Sequence, residues 1–375
     1  MVHDDADVPA GPASLDSVRV QFDEQRLVSD AGLLLTATLA ERLGIEELVN
    51  ESVWLGYRVP GAALPGRKVM SLVHGMLAGA DSIDDMNVLR AGSTGLVLGH
   101  RVMAPSTLGT FLRAFTFGHV RQLDHVLDMA LERVWEMGAG PGDGPLVIDI
   151  DSFVGEVHGD QKQGASYGYT RQLGYHPILA VRSDTGEVLH IRNRKGKANT
   201  QRGAARFVDE LLARVRRAGH TATIVIRADI GFENHKQFTA LARQGVELSI
   251  GVKQSKHVRA LIADVDHRDH ATIELVIRDL KDQALKHFPS GRYPANSAWT
   301  VIAALAHNLG RWTTQIGLPN RPVQTARSRR RHLLQIPARL TRTSRQWTLR
   351  MPARWPWQND FTTILEKIRA LPALT

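Results

Sequence analysis

LVIDIDSF, residues 146–153, alternates in a way that constrains everything around it. Side chains in a strand point to opposite faces with period two, so Leu146, Ile148 and Ile150 share one face and Val147, Asp149 and Asp151 the other. A core strand with two acids on one side is unusual. An unpaired carboxylate removed from water costs several kcal/mol or changes its pKa instead, so the pair needs a cation, a hydrogen-bond partner or solvent.

Working outward, the chain falls into three regions. Residues 1–140 read as mainly helical: LLLTATLAERLGIEELV, KVMSLVHGMLAG, IDDMNVLRAG and the long stretch 106–138 carry apolar residues three and four apart. GAGPGDGP, 138–145, is a turn or linker, and after it the period changes. In 141–298, LVIDID is a strand and HPILAVRSDTGEVLHIRNR two strands about Thr185-Gly186. Then follow a helix (QRGAARFVDELLARVRRAG), a strand (TATIVIRAD), a helix (NHKQFTALARQG), a strand (VELSIGVK) and a helix (HATIELVIRDLKDQAL). Three strands, helix, strand, helix, strand, helix is the order of an α/β ribonuclease H-like mixed sheet. Residues 299–375 form a basic C-terminal helix and tail region.

The acids fall where that order makes them useful. Asp149 and Asp151 end the first strand, Asp229 closes IVIRAD, and Glu274 lies on the helix after the last strand. Carboxylates from neighbouring strand ends and a packed helix can converge, and hard oxygen donors suit Mg²⁺, with Mn²⁺ able to replace it. Such a site drives in-line displacement at a phosphodiester. On the helix, His267, His270, Glu274, Arg278 and Lys281 form one stripe at 3.6 residues per turn, a carboxylate for metal beside cations for phosphate. A surface helix with a Glu274–Arg278 pair explains the same stripe. HRD at 267–269 lacks the Asn of a kinase catalytic loop, and His267 with His270 lacks an evident third zinc ligand.

Charge singles out a partner. The formal net charge is +9, yet between Gln283 and Asn359 there is no Asp or Glu and there are thirteen Lys or Arg, including Arg329, Arg330 and Arg331. The rest holds 34 basic and 38 acidic residues, so this segment carries the whole positive balance. Interleaved tryptophans, Trp299, Trp312, Trp347, Trp355 and Trp357, suit phosphate contact with stacking, which points to nucleic acid. The alternative is a basic tail whose tryptophans pack on the core. The absence of cysteine excludes disulfides and thiolate zinc sites. No apolar run approaches the ~18 residues of a membrane span and the N-terminus lacks a signal-peptide core, so the expectation is a cytoplasmic protein.

These stretches carry a resemblance. IDIDSFVGEVHGDQKQGASYGYT, GYHPILAVRSDTGEVLH, RKGKANTQRGAARFV, HRDHATIE, FPSGRYPANSAW and ARSRRRHLLQIPARLT are similar to a DDE transposase of bacterial insertion sequences, group thirteen-eighty, over nearly the full chain. The resemblance implies Mg²⁺-dependent DNA cleavage and strand transfer at insertion-sequence ends, with end and target DNA as partners, nucleoid association and a homodimer assembled on DNA. It also implies that the N-terminal helices of 1–140, as a DNA-binding domain, hold the end sequence together with the basic C-terminal region. It implies Asp151 rather than Asp149 as the first acid, Asp229 as the second and Glu274 as the third. Lys281 sits at the Lys of the superfamily's Tyr-Arg-Glu-Lys signature. His267 and His270 stand at its Tyr and Arg positions, and Lys162 joins the DNA-contacting residues.

One departure matters. The family carries a β-rich insertion before the helix of the third acid, whereas here GVKQSKHVRALIADVD runs directly into HRDHATIE, so that the second and third acids are 274 − 229 = 45 positions apart. Two readings follow: a transposase impaired by internal deletion, or a non-catalytic DNA-binding derivative that occupies element ends and inhibits an intact copy.

Overall fold

Apolar periodicity builds the first half of the chain as helices. A computed structural model describes residue 12 and residues 14–159, 161–168, 171–198, 203–228, 245–250 and 271–373. After a short strand β1 (Leu27–Val28) come α1 (Leu33–Arg42), α2 (Ile45–Ser52), α3 (Pro65–Ala78), α4 (Met86–Arg90), α5 (Thr94–Val97), α6 (Pro105–Arg113) and α7 (Phe117–Val134). Three of these starts follow from local chemistry. Proline opens α3 and α6, where its missing N–H costs nothing, and Thr116 with His119 forms a reciprocal cap at the start of α7. Beyond α7 the chain turns at Gly138, whose φ of 94° favours a residue without Cβ, and enters the sheet.

The strands are β2 (Leu146–Ser152), β3 (Gly155–Glu156), β4 (Ser166–Tyr167), β5 (Leu173–Tyr175), β6 (Ile178–Arg182) and β7 (Val188–Arg192). After α8 (Ala204–Arg217) come β8 (Ile224–Ala228) and β9 (Val246–Ile250). The main sheet has the order β7-β6-β2-β8-β9. β2 pairs antiparallel with β6 and parallel with β8, β7 is antiparallel to β6, and β9 is parallel to β8. A mixed sheet was expected from the sequence, and the structure puts its first strand, β2, in the centre between β6 and β8. The helix expected at 234–245 lies, but for Gly245, outside the described residues. Strands β3, β5 and β4 make a separate small sheet.

The last elements are α9 (Ala271–Lys281), α10 (Tyr293–Gly317), α11 (Ala326–Arg329), β10 (Ala338–Thr343), β11 (Gln346–Arg350) and α12 (Gln358–Ala370). Helix α10, 25 residues long, is buried along most of its length and packs on α1, α3, α7, α12 and β7. Asn308 anchors it to the sheet: its amide accepts from Val188 N–H and donates to Val188 C=O, both at 2.8 Å. That pairing covers part of edge strand β7, whose open polar groups would otherwise face solvent. One hydrophobic cluster runs from the N-terminal helices through the sheet into α10 and α12. The boundary expected between 298 and 299 therefore falls inside α10, because that helix belongs to both sides of the core. No helix among the described residues is long and apolar enough to cross a membrane.

Candidate active site

The two acids of β2 have different fates. Asp149 has no solvent access, and its carboxylate accepts two hydrogen bonds from Arg227, from Nε at 2.6 Å and Nη2 at 3.0 Å. Arg227 is its register partner on the adjacent parallel strand β8, so the strand pairing itself sets the contact. The Arg227 guanidinium also donates to Ser183 Oγ. Two residues on, at the strand's end, Asp151 is half-buried, and its Oδ1 accepts the Ser152 N–H at 2.6 Å. The cation demanded by a buried acid is thus supplied to Asp149, and Asp151 reaches the edge of solvent.

Helix α9 brings a second set of charges to that strand end. It packs on β2 and β6 through buried Ile273, Val276 and Leu280. Its far side is pinned by Asp279, buried beside Arg311 at 3.2 Å and accepting the Ala326 N–H at 2.9 Å. Burial pushes the Asp279 carboxyl up, and Arg311 and Arg329 pull it back. Lys281, at the helix end, lies over the buried Phe153 ring at 5.3 Å from its centroid. Desolvation lowers its ammonium pKa, while the nearby charges of Glu156 and Asp151 raise it. Glu274 is exposed, two turns earlier on the same helix.

The structure therefore brings Asp151, Lys281 and Glu156 together and sets Glu274 on the helix that carries Lys281. Asp229 follows β8 directly in sequence and lies outside the described residues, as do His267 and His270. Arg278 is exposed on α9. Lys162 is half-buried and donates to the Phe288 C=O, so part of its donor capacity serves the fold.

The arginine run needs correction as a unit. Arg329 is buried at 4% exposure with Nη1 directed at the Gln324 C=O, and Arg330 is buried with Nη2 3.1 Å from Asp282. Only Arg331 of the three faces solvent. Counter-charges on α9 and just after it drew the other two inward. Sequence reasoning missed Arg227 and Glu156. The signal for Arg227 was a lone cation in the otherwise apolar run TIVIRA.

Among the described residues, Asp124, His190 and Glu210 also have the mutual spacing of metal ligands. Their surroundings do not fit a cation. Arg214 and Arg121 lie 3.0 Å from Asp124, and Arg121, Arg192 and Arg206 engage Glu210. Burial alone would raise the Asp124 carboxyl, but Arg214, His190 and Arg121 hold it well below the usual carboxylate range. His190 and Arg192 hold Glu210 low in the same way. The cluster ties α7, α8 and β7 together.

The sequence profile described as transposase DDE domain group 1 matches residues 11–270 and 262–373. No curated protein matches the chain in sequence. Among solved structures, the chain is similar to a piggyBac transposase synaptic complex with hairpin DNA, at 12% identity and a TM-score of 0.45 over 93% of this chain and 84% of that one. The catalytic core domain of BIV integrase gives 12% identity and a TM-score of 0.28 over 48% and 91%. A pre-cleavage Mos1 transpososome gives 9% and 0.23 over 59% and 72%.

Proposed function

Because the chain belongs to the transposase DDE domain group 1 family, we propose that it cuts and joins DNA at the ends of a bacterial insertion sequence of the thirteen-eighty group. The observation that carries this reading is the division of labour on β2: Asp149 is sealed against Arg227, while Asp151 stands at the strand end beside Lys281. The mixed sheet is read as a ribonuclease H-like core, with its first acid at the end of the central strand. Asp151, Asp229 and Glu274 are assigned as the acids, and Lys281 and Arg278 as cations for the DNA backbone, together with Lys162, Arg331 and, by the family signature, His267 and His270.

The donor set is all carboxylate oxygen, which fits Mg²⁺ or Mn²⁺ and not a softer ion. Held by Asp151, Asp229 and Glu274, such an ion would supply activation of a water or 3′-hydroxyl and charge stabilisation at the leaving oxygen. The protein's own part is to hold the phosphodiester. Lys281 is preorganised for this: its stem lies on Phe153 and its helix is fixed through Asp279. A cation held in place before substrate arrives stabilises developing negative charge without reorganisation. The acting form is read as a homodimer on DNA, in the bacterial cytoplasm.

A second reading is favoured by the separation of 45 positions from Asp229 to Glu274 and by the division of the family match into two segments that overlap at 262–270, just before α9. In it the chain occupies element ends without cutting them and inhibits an intact transposase. The two are separated by incubating the full chain with Mg²⁺ and plasmid carrying the DNA that flanks its coding sequence. Nicks mapping to the element ends support the first reading. End binding without nicks at any divalent ion concentration supports the second.

A further inference from the structure

The β10–β11 ribbon has two unlike faces, and only one of them belongs to the fold. Ala338 and Leu340 are buried with Val28 and Ala31, and Val97, Leu349 and Met351 pack around them. Pairing of β1 with β10 fixes the ribbon's base through Leu27↔Arg339 and Val28↔Ala338. The opposite face follows from the register Arg339↔Arg350, Thr341↔Thr348 and Thr343↔Gln346. It presents three threonines, a glutamine and two arginines, with Thr341 half-buried and the other five exposed. The turn adds exposed Arg345. At the tip of the first face, Arg342 lies 5.2 Å over Trp347, which is 53% exposed. From Ala338 to Arg350 there are four arginines and no acid, and the base of the ribbon meets a carboxylate at Glu24, 3.1 Å from Arg339.

An ordinary solvated ribbon mixes charge signs, and one that only guards a sheet edge needs charge along its outer strand alone. Here both strands contribute hydroxyls, an amide and guanidiniums to one surface. Those are the groups that meet base edges and phosphates: threonine for a thymine methyl or a base acceptor, glutamine for adenine, arginine for guanine or phosphate. The size also fits. A major groove about 12 Å wide admits a two-stranded ribbon. Six residues of β10 extend about 20 Å, or roughly six base pairs.

We propose that the β10–β11 ribbon enters the major groove of duplex DNA, with Thr343, Gln346, Thr341 and Thr348 toward base edges and Arg342, Arg345 and Arg350 on the flanking phosphates. Trp347 holds Arg342 in place for that contact. This rests on the transposase reading and deepens it: the ribbon is the part of the chain that recognises the element's end, distinct from the carboxylate site that cuts.

The test uses the full chain and fluorescent duplexes tiled across the DNA flanking its coding sequence, with a shuffled duplex as reference. Anisotropy is read over a salt series. Thr343→Ala/Gln346→Ala should lower the preference for the end duplex about tenfold at an unchanged salt slope. Arg345→Ala/Arg350→Ala should weaken binding to both duplexes and reduce the log–log slope by about 1.8. All four side chains are exposed, so the unfolding midpoint should stay at the wild-type value. A wild type that prefers end DNA, with variants that match it in preference and slope, overturns the ribbon and leaves the transposase reading standing. A falling slope with full preference retained overturns groove entry, since it leaves phosphate contact alone. Variants that self-associate in sedimentation yet bind DNA as wild type would make the arginines an edge guard and also overturn it. A wild type with no preference for any flanking duplex fails the transposase reading itself.

Discussion

Asp149 and Arg227 face each other on adjacent parallel strands, joined by hydrogen bonds of 2.6 and 3.0 Å with the acid wholly out of solvent. A buried pair of this kind contributes little net stability while intact, but losing one partner strands the other charge. Arg227→Ala should therefore destabilise the fold by about 3 to 5 kcal/mol. Asp151→Asn, at the solvent edge, should stay within about 0.5 kcal/mol of wild type. Denaturant unfolding midpoints check both, and equal effects would remove the distinction between the two acids.

Arg331 and Arg329 should behave differently toward DNA. Arg331→Ala loses one accessible cation and should reduce the salt slope of binding by about 0.9. Arg329→Ala, at a buried position beside Asp279 and Arg311, should leave that slope unchanged. Asp279→Asn should be the most damaging change in this region, by about 3 kcal/mol or more, because it leaves Arg311 and Arg329 buried without their counter-charge. Binding titrations in a salt series and unfolding curves give the two readouts.

Lys281→Ala should reduce metal-dependent nicking on the order of a hundredfold, the usual loss when one preorganised donor to developing charge is removed. Affinity for the duplex should change far less, since Lys281 is one contact among many. Comparable losses in binding and in nicking rate would make it an ordinary backbone contact.

Glu187 gives a pH signature. It is buried, accepts from the indole N–H groups of Trp135 and Trp312, and burial pushes its carboxyl up to about 7. The folded state thus holds a proton that the unfolded chain releases near the ordinary value of 4.5. Its contribution is full below pH 4.5 and is lost as pH rises toward 7, at up to about 1.4 kcal/mol per unit. Glu187→Gln keeps an acceptor for the indoles and should flatten this part of the stability profile. Glu210, held low by His190 and Arg192, and Asp124, held low against its burial by Arg214 and His190, act in the opposite sense and lose their contribution only under more acidic conditions. A profile unaltered by Glu187→Gln would contradict the assignment.

The sheet was legible because its strands are apolar runs bounded by turns, and LVIDI, ILAVR, VLHIR, IVIRA and VELSI all formed strands where expected. What period-two alternation could not settle was which strand acid is structural, since Asp149 and Asp151 share a face. That depends on Arg227, 78 positions away and brought alongside only by the register of β2 and β8. The arginine run misled for a similar reason. Its counter-charges, Asp279 and Asp282, lie on and beside another helix, and composition alone does not reveal which cations they bury. Helix α10 runs unbroken through position 298, because a long apolar helix can serve two regions of one core.

The most direct test of the site compares cleavage by Asp151→Asn with cleavage by the paired neutral variant Asp149→Asn/Arg227→Gln. The paired change removes both buried charges at once and so avoids stranding either of them. Nicking of end-containing plasmid in Mg²⁺ should vanish in Asp151→Asn, with DNA binding and unfolding midpoint retained, and should persist in the folded double variant. Persistent nicking by Asp151→Asn, or its loss in a folded double variant, would contradict the assignment of Asp151 as the first acid.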